Sequence, residues 1–233
     1  MNLVDTLAAN LALPRGALAG IGWADLASGR VPMPVGWADA AADTAWAAGI
    51  LADYDIGRGD HCLFVTAGRD YWPRQVETAV TALGGFIGNI SPAGYDDRRL
   101  SVYLRFLPPK MVVGLSEELA EKVVRNDELV RLLKAVPHLL ALPSAVPILA
   151  GRGIAAKAVA AVGPALALPC GRGDGAHIDG SQFGVAQLPG SRTLTVTTSA
   201  DREFQLTGGQ AATPGSVLTG CDCGRPGPVL SLR

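Results

Sequence analysis

Apolar and polar positions settle into a regular rhythm from residue 37 onward. Trp37–Tyr54 sets Ala41, Thr44, Ala45, Ala48 and Leu51 at helical spacing, which predicts a helix. Gly57-Arg-Gly-Asp60 breaks that pattern, and the apolar run His61–Thr66 predicts a strand. A helix over Asp70–Leu83, a strand over Phe86–Ile90, a helix over Asp96–Phe106 and a strand over Lys110–Gly114 follow. Ser116 caps the next helix, with Glu117 and Glu118 at its positive end. Asp127–Ala135 continues as helix, Ala145–Ala150 is expected as a fourth strand and Arg152–Val162 as another helix. Such alternation predicts an α/β fold: a doubly wound, mostly parallel sheet with helices on both faces.

The pattern differs at both ends. Residues before 37 are rich in Gly, Pro and Ala; a short helix over Leu3–Leu11 and an extended segment over Arg30–Val35 are expected there. From about Ile178, the segments Phe183–Leu188, Arg192–Thr198, Glu203–Thr207 and Ser216–Thr219 are short, β-branched and separated by turn residues. They predict a small antiparallel, partly barrel-like β subdomain. The expected divisions are therefore 1–36, 37–169 and 170–233.

Composition excludes several classes. Net charge over the 233 residues is −1, with charges scattered, so no basic stripe marks a nucleic-acid or anionic-membrane partner. Pro137, His138, Pro143, Pro147 and Pro164 interrupt the two longest apolar stretches, Val136–Leu149 and Ala155–Leu168. Neither reaches the roughly 20 apolar residues that span a bilayer. Met1-Asn-Leu-Val-Asp5 lacks the basic start and apolar core of a signal peptide. Few cysteines, three of them grouped, suit a reducing compartment, and a cytoplasmic protein is expected.

Those grouped residues carry the strongest chemical signal. Cys170 and His177 lie in Cys-Gly-Arg-Gly-Asp-Gly-Ala-His, and Cys221 and Cys223 in Cys-Asp-Cys-Gly-Arg. Three thiolates and an imidazole are a common tetrahedral set for structural zinc, and the surrounding glycines let a backbone wrap an ion. The spacing is not that of a standard zinc finger. Three small buried thiols with a surface histidine, or a disulfide, remain the alternatives, although pairing Cys221 with Cys223 would be strained. A zinc site of this kind is closed, with no open position to activate water.

Other candidates have plainer explanations. His61 and Cys62 are neighbours on a strand and so point to opposite faces, which argues against a nucleophile–base pair. His138 is expected as a packing or surface histidine, and Arg98 and Arg99 as a solvated helix face. Gly171-Arg-Gly-Asp-Gly175 lacks the strand–loop–helix context of a phosphate loop. Tyr71 and Trp72 open a helix, where packing competes with a role in lining a substrate pocket.

Seven motifs in one order resemble the adenylate-forming superfamily, in particular its phenylacetate–coenzyme A ligase branch. Ile56-Gly-Arg-Gly-Asp60 is similar to the branch's "I-x-P-G-D", and Ala79–Pro92 to "A-x-x-x-L-G-A-x-V-I-P". Arg98-Arg-Leu with Leu107–Gly114 resembles "R-x-L-x-x-I-x-x-F-K-P-T-V-L", and Ile148–Arg152 the strand ending "x-x-G-E". Gly175–Ala186 is similar to "G-L-H-I-x-E-D-x-F-x-V-E", Glu203–Thr207 to "G-E-L-V-L-T", and Cys221–Arg225 to "C-x-C-G-R". The match spans roughly residues 30–232. Members of this branch carry zinc on the corresponding Cys–His–Cys–Cys set, so the resemblance makes Cys170, His177, Cys221 and Cys223 ligands. It also puts Tyr71 and Trp72 beside the substrate.

The chain departs from the family where nucleotide is gripped. Where the "S-S-G-T-T-G" phosphate loop belongs stands Ala27-Ser-Gly-Arg-Val-Pro-Met-Pro34; only Ser28 and Gly29 remain, as a vestigial nucleotide loop, and two prolines remove N–H donors. Leu166-Ala-Leu-Pro169 runs into Cys170 without the aromatic and acid of "Y-G-x-T-E", and Cys221 replaces the ribose-binding Asp. The sequence ends at Arg233, where the family continues into a lid domain with a catalytic Lys, so that domain is expected to be absent. Together these departures remove most of the positioning and charge stabilisation adenylation requires. The expectation is a degenerate homologue that acts as a non-catalytic acyl-, aryl- or partner-binding module with structural zinc. Its partner would be a protein, a carrier protein or a second copy. The alternative is a minimal carboxylate–AMP or carboxylate–CoA ligase that uses ATP and CoA and is completed by another subunit.

Overall fold

The computed structural model describes residues 16–67, 70–173 and 175–232. The expected helix over Leu3–Leu11 lies outside them. The chain opens with an antiparallel hairpin, β1 (Gly20–Leu26) and β2 (Gly29–Val35), whose partners run from Gly20↔Val35 to Leu26↔Gly29. Helix α1 (Trp37–Leu51) follows, then β3 (His61–Val65), α2 (Tyr71–Ala82), β4 (Phe86–Ile90), α3 (Asp97–Phe106) and β5 (Met111–Leu115). After these come α4 (Glu117–Val124), α5 (Asp127–Lys134), β6 (His138–Ala141), α6 (Ala145–Ala150) and β7 (Lys157–Ala158). Strands β3–β7 form a parallel sheet in the order β4-β3-β5-β6-β7.

Alternation along these strands builds a core on each face. Leu63, Val65, Val112, Leu139 and Ala141 pack with α3–α6. Cys62, Phe64, Met111, Val113 and Leu140 point the other way, onto α1 and α2. The expected doubly wound sheet is thus present, with its order reversing between β3 and β5.

Two element predictions fail between residues 138 and 162. Ala145–Ala150, expected as a strand, is helix α6; Pro147 is its third residue, where no intrahelical acceptor awaits an N–H. The strand is instead His138–Ala141, whose apolar side chains serve both cores. Arg152–Val162, expected as a helix, holds a turn closed by Gly153 (φ +65°), then β7 and β8 (Ala160–Val162).

The remaining strands pair antiparallel. They are β9 (Ala165–Pro169), β10 (Ala176–His177), β11 (Phe183–Gln187), β12 (Leu194–Thr198), β13 (Gly209–Gln210), β14 (Ser216–Leu218) and β15 (Val229–Ser231). Their sheets run β14-β15-β10-β9-β8 and β11-β12-β13. Pairing therefore changes from parallel to antiparallel between Ala158 and Ala160. Glu203–Thr207 is not a strand: Leu206 instead exchanges bonds with Thr198, donating to Oγ1 (2.8 Å) and accepting from its N–H (2.8 Å). Among the described residues no helix is long and apolar enough to cross a membrane.

Helix α1 fastens the β subdomain to the parallel core. Asp39, Asp43, Ala47 and Ile50 form its buried face. The Asp39 carboxylate accepts from the N–H of Gly36 and of Glu203, both at 3.1 Å. One turn on, Asp43 holds Arg202. Beyond the helix, Asp53 holds Arg225.

Candidate metal centre

Strand β9 runs from the parallel core into Cys170, and β10 returns antiparallel to it with His177 at its end. The turn before β15 brings Cys221 and Cys223 to the same place. The four ligand atoms all lie within 4.8 Å of one another. Cys170 Sγ is 3.6 Å from Cys221 Sγ, and Cys223 Sγ is 3.3 Å from His177 Nε2. Sulfurs bound tetrahedrally at about 2.3 Å to one ion stand roughly 3.8 Å apart, so the set fits zinc; a disulfide needs about 2.05 Å. All four cysteines are free thiols.

The surroundings fit as well. A Cβ on Gly173 would sit 2.5 Å from Cys221 Sγ, so only glycine leaves the thiolates room to converge. Burial, then the positive charge of Arg225, holds the His177 imidazole below its ordinary pKa, in the neutral form that ligates. Its Nδ1 is buried with no hydrogen-bond partner, while Nε2 faces Cys223. Burial raises the Cys170 thiol, but hydrogen bonds from Arg172 N–H, the Cys221 thiol and Gly173 N–H outweigh it and lower the pKa. Burial pushes Cys221 up to about 11.

Three further residues frame the loop, and the sequence assigns them no role. Lys157, on β7, donates through Nζ to the carbonyls of Cys170 (2.8 Å), Gly171 (3.2 Å) and Gly173 (2.8 Å). Tyr54 Oη donates to Pro169 O at 2.8 Å. Arg225 forks onto Asp53 at 3.0 and 3.1 Å and donates to Gly49 O at 2.6 Å. Arg225 lies inside the Cys-Asp-Cys-Gly-Arg motif; Lys157 has no local signal, because topology alone brings it to the loop.

The other sequence candidates lie elsewhere. Ser28 forms, with Ala27, the two-residue turn between β1 and β2, and Gly29 (φ +121°) opens β2; all three are exposed. Ala27 N–H is donated to Gln210 O at 2.9 Å. Tyr71 is half-buried, with its hydroxyl 3.3 Å from the Asp43 carboxylate and its Cβ against Gly22. Trp72 lies over Gly114 (φ +84°), its ring 3.2 Å from where a Cβ would stand. That contact lies near the C-terminal end of β5, next to the point of strand-order reversal, where doubly wound sheets bind ligands. Cys62 is a core thiol that burial pushes up to about 12, while His61 faces the other way and contacts Tyr103. His138 packs edge-on against Tyr54, with ring centroids 4.9 Å apart.

A parallel sheet reversing beside its first strand, a leading hairpin and a trailing antiparallel subdomain together make the fold of the adenylate-forming ligases. A 2-hydroxyisobutyryl-CoA ligase in complex with 2-HIB-AMP and CoA matches with a TM-score of 0.65 at 14% identity, over 98% of this chain and 60% of that one. A malonyl-CoA ligase bound to methylmalonyl-CoA and AMP matches at 0.53 and 13% identity, over 89% and 52%. E. coli MenE matches at 0.51 and 11% identity, over 91% and 47%. The chain spans 55–60% of the length of the 2-hydroxyisobutyryl-CoA ligase chains. No protein-family model and no curated protein sequence matches it.

Proposed function

We propose that this protein is a non-catalytic relative of the adenylate-forming ligases, a zinc-stapled module that binds an acyl or aryl group or a protein partner. The observation that carries this reading is the Ala27–Ser28 turn. A phosphate cradle needs a concave arc of free N–H groups, whereas this turn has two residues and gives the N–H of Ala27 to Gln210. The base platform is missing as well, because Leu166–Pro169 is a fully buried strand. A cavity of about 670 Å³ beside β6 and β7, lined by Leu139, Val146, Pro147 and Ile154 together with Tyr54, His138 and Lys157, supports acyl or aryl binding. Zinc on Cys170, His177, Cys221 and Cys223 would supply cross-linking only, since every position is a protein ligand. Free thiols suit a reducing compartment, and we place the protein in the cytoplasm.

Calorimetry with ATP and magnesium tests the central claim; no heat of binding is expected. A panel of acyl and aryl carboxylates should bind the wild type and lose affinity in Val146→Trp, which fills the cavity. Hydroxamate-trapped acyl-adenylate from any of these acids would overturn the reading and favour a minimal ligase.

A further inference from the structure

Three polar side chains, Tyr54, His138 and Lys157, interrupt the apolar wall of the cavity beside β6 and β7. Their hydrogen bonds decide which ligands fit. An ammonium has three N–H donors, and Lys157 Nζ already bonds the carbonyls of Cys170, Gly171 and Gly173. The single donor of the Tyr54 hydroxyl goes to Pro169 O at 2.8 Å. Burial, then the charges of Lys110 and Lys157, hold the His138 imidazole below its ordinary pKa, and so neutral at pH 7. A neutral imidazole carries one N–H, and that of His138 is taken by the backbone of Tyr54. The other lining side chains belong to Pro, Leu, Val, Ile and Ala, which have no donor. Among the described residues, no side-chain donor on this wall is left for an anion.

Packing keeps the three polar groups engaged. The His138 ring meets Tyr54 edge-on, and Lys157 Nζ lies 5.8 Å from the centroid of the same Tyr54 ring. Turning the ammonium toward a ligand would leave three carbonyls of the Cys170 loop without their donor, at the cost of breaking charge-assisted bonds.

Charge therefore counts against both kinds of ion. A carboxylate entering from water loses its hydration and meets no side-chain donor in exchange, and desolvating an unpaired charge costs far more than desolvating an ester or amide. A cation finds no partner either, because no acidic side chain lines the cavity, and it approaches the positive Lys157. An uncharged apolar group meets neither obstacle. We propose that this cavity takes its acyl or aryl group in uncharged form, in ester, amide or thioester linkage, and discriminates against the free acid; this rests on the reading of the cavity as an acyl- or aryl-binding site. Its ligand is then a product of an acyl-activating reaction, rather than the acid with which such a reaction starts.

The test titrates the zinc-loaded full chain by calorimetry at pH 7 with four probes of one skeleton: methyl cinnamate, cinnamamide, cinnamate and cinnamylamine. The ester and the amide should bind at least about tenfold tighter than the acid and the amine. Ala150→Lys, at an exposed position lining the cavity, adds an ammonium with free donors and should narrow the gap between acid and amide to about threefold or less. Val146→Trp should weaken all four probes, which ties the heats to the cavity. An acid that binds the wild type as tightly as the amide, and is lost in Val146→Trp, would overturn this inference and leave the acyl-binding reading standing. So would a gap that Ala150→Lys does not move. No binding by any probe, or binding indifferent to Val146→Trp, would overturn both.

Discussion

Arg202 lays both terminal guanidinium nitrogens on the Asp43 carboxylate, at 2.8 and 2.9 Å, with the two side chains only 3% and 4% exposed. Gln75 donates to the same carboxylate at 3.1 Å, and the guanidinium lies 4.5 Å from the centroid of the Phe183 ring. The pair joins α1 to the β subdomain across 159 residues of sequence. Removing one member strands a buried charge, whereas removing both leaves an apolar gap. Arg202→Met should therefore cost about 3–5 kcal/mol in urea unfolding. Asp43→Leu combined with Arg202→Met should cost less than that single change. A double variant no better than the sum of its parts would show that the two charges are not coupled.

Metal binding makes a second test. Wild type purified with zinc should hold one equivalent, and Cys221→Ser should lose it and unfold at a lower temperature. Gly173→Ala should have a similar, milder effect, because its Cβ would meet Cys221 Sγ at 2.5 Å. Unchanged metal content in Cys221→Ser, measured by inductively coupled plasma spectrometry, would reject the site.

How much of this was legible depends on whether the signal is local. Strand β3 and helix α4 follow from runs of residues that specify themselves: an apolar stretch in the first, and in the second Ser116, whose side chain accepts from the N–H of Leu119. The clustering of Cys170, His177, Cys221 and Cys223 was legible because ligand chemistry restricts residue type. Ala145–Ala150 was not, since a short apolar run suits strand and helix equally and vacancies in the sheet decide the matter. Lys157 was invisible for the same reason: its partners are carbonyls 13–16 residues away, chosen by how β7 passes the loop. The Asp43–Arg202 pair leaves no periodic trace, because each charge is compensated by a residue far along the chain.

Lys157 gives a prediction that separates positioning from simple stability. Its ammonium gathers three carbonyls of the loop that carries Cys170, so it shapes the candidate site without supplying a ligand. Lys157→Met should weaken zinc in competition with a chromophoric chelator by roughly 10–100-fold, the usual reach of groups behind the ligands. Metal-free protein should change little in thermal stability. Equal affinity in the variant would confine Lys157 to sheet packing.

The turn before β3 supplies a pH test. Asp60 accepts from Lys110 Nζ and from Gly57 N–H, both at 2.9 Å, and the lysine bond in particular holds its carboxyl below the ordinary value. A carboxylate with a depressed folded-state pKa adds stability above its unfolded pKa of about 3.9 and gives it up as pH falls through the folded value. The side chains are 28% and 24% exposed, so solvent screens the pair and its contribution is about 0.5–1 kcal/mol. Asp60→Asn should thus be less stable than wild type by about that amount at pH 7, and the two stability curves should converge as acid protonates Asp60. A difference that stays constant into strong acid would assign the loss to the altered turn rather than to the charge.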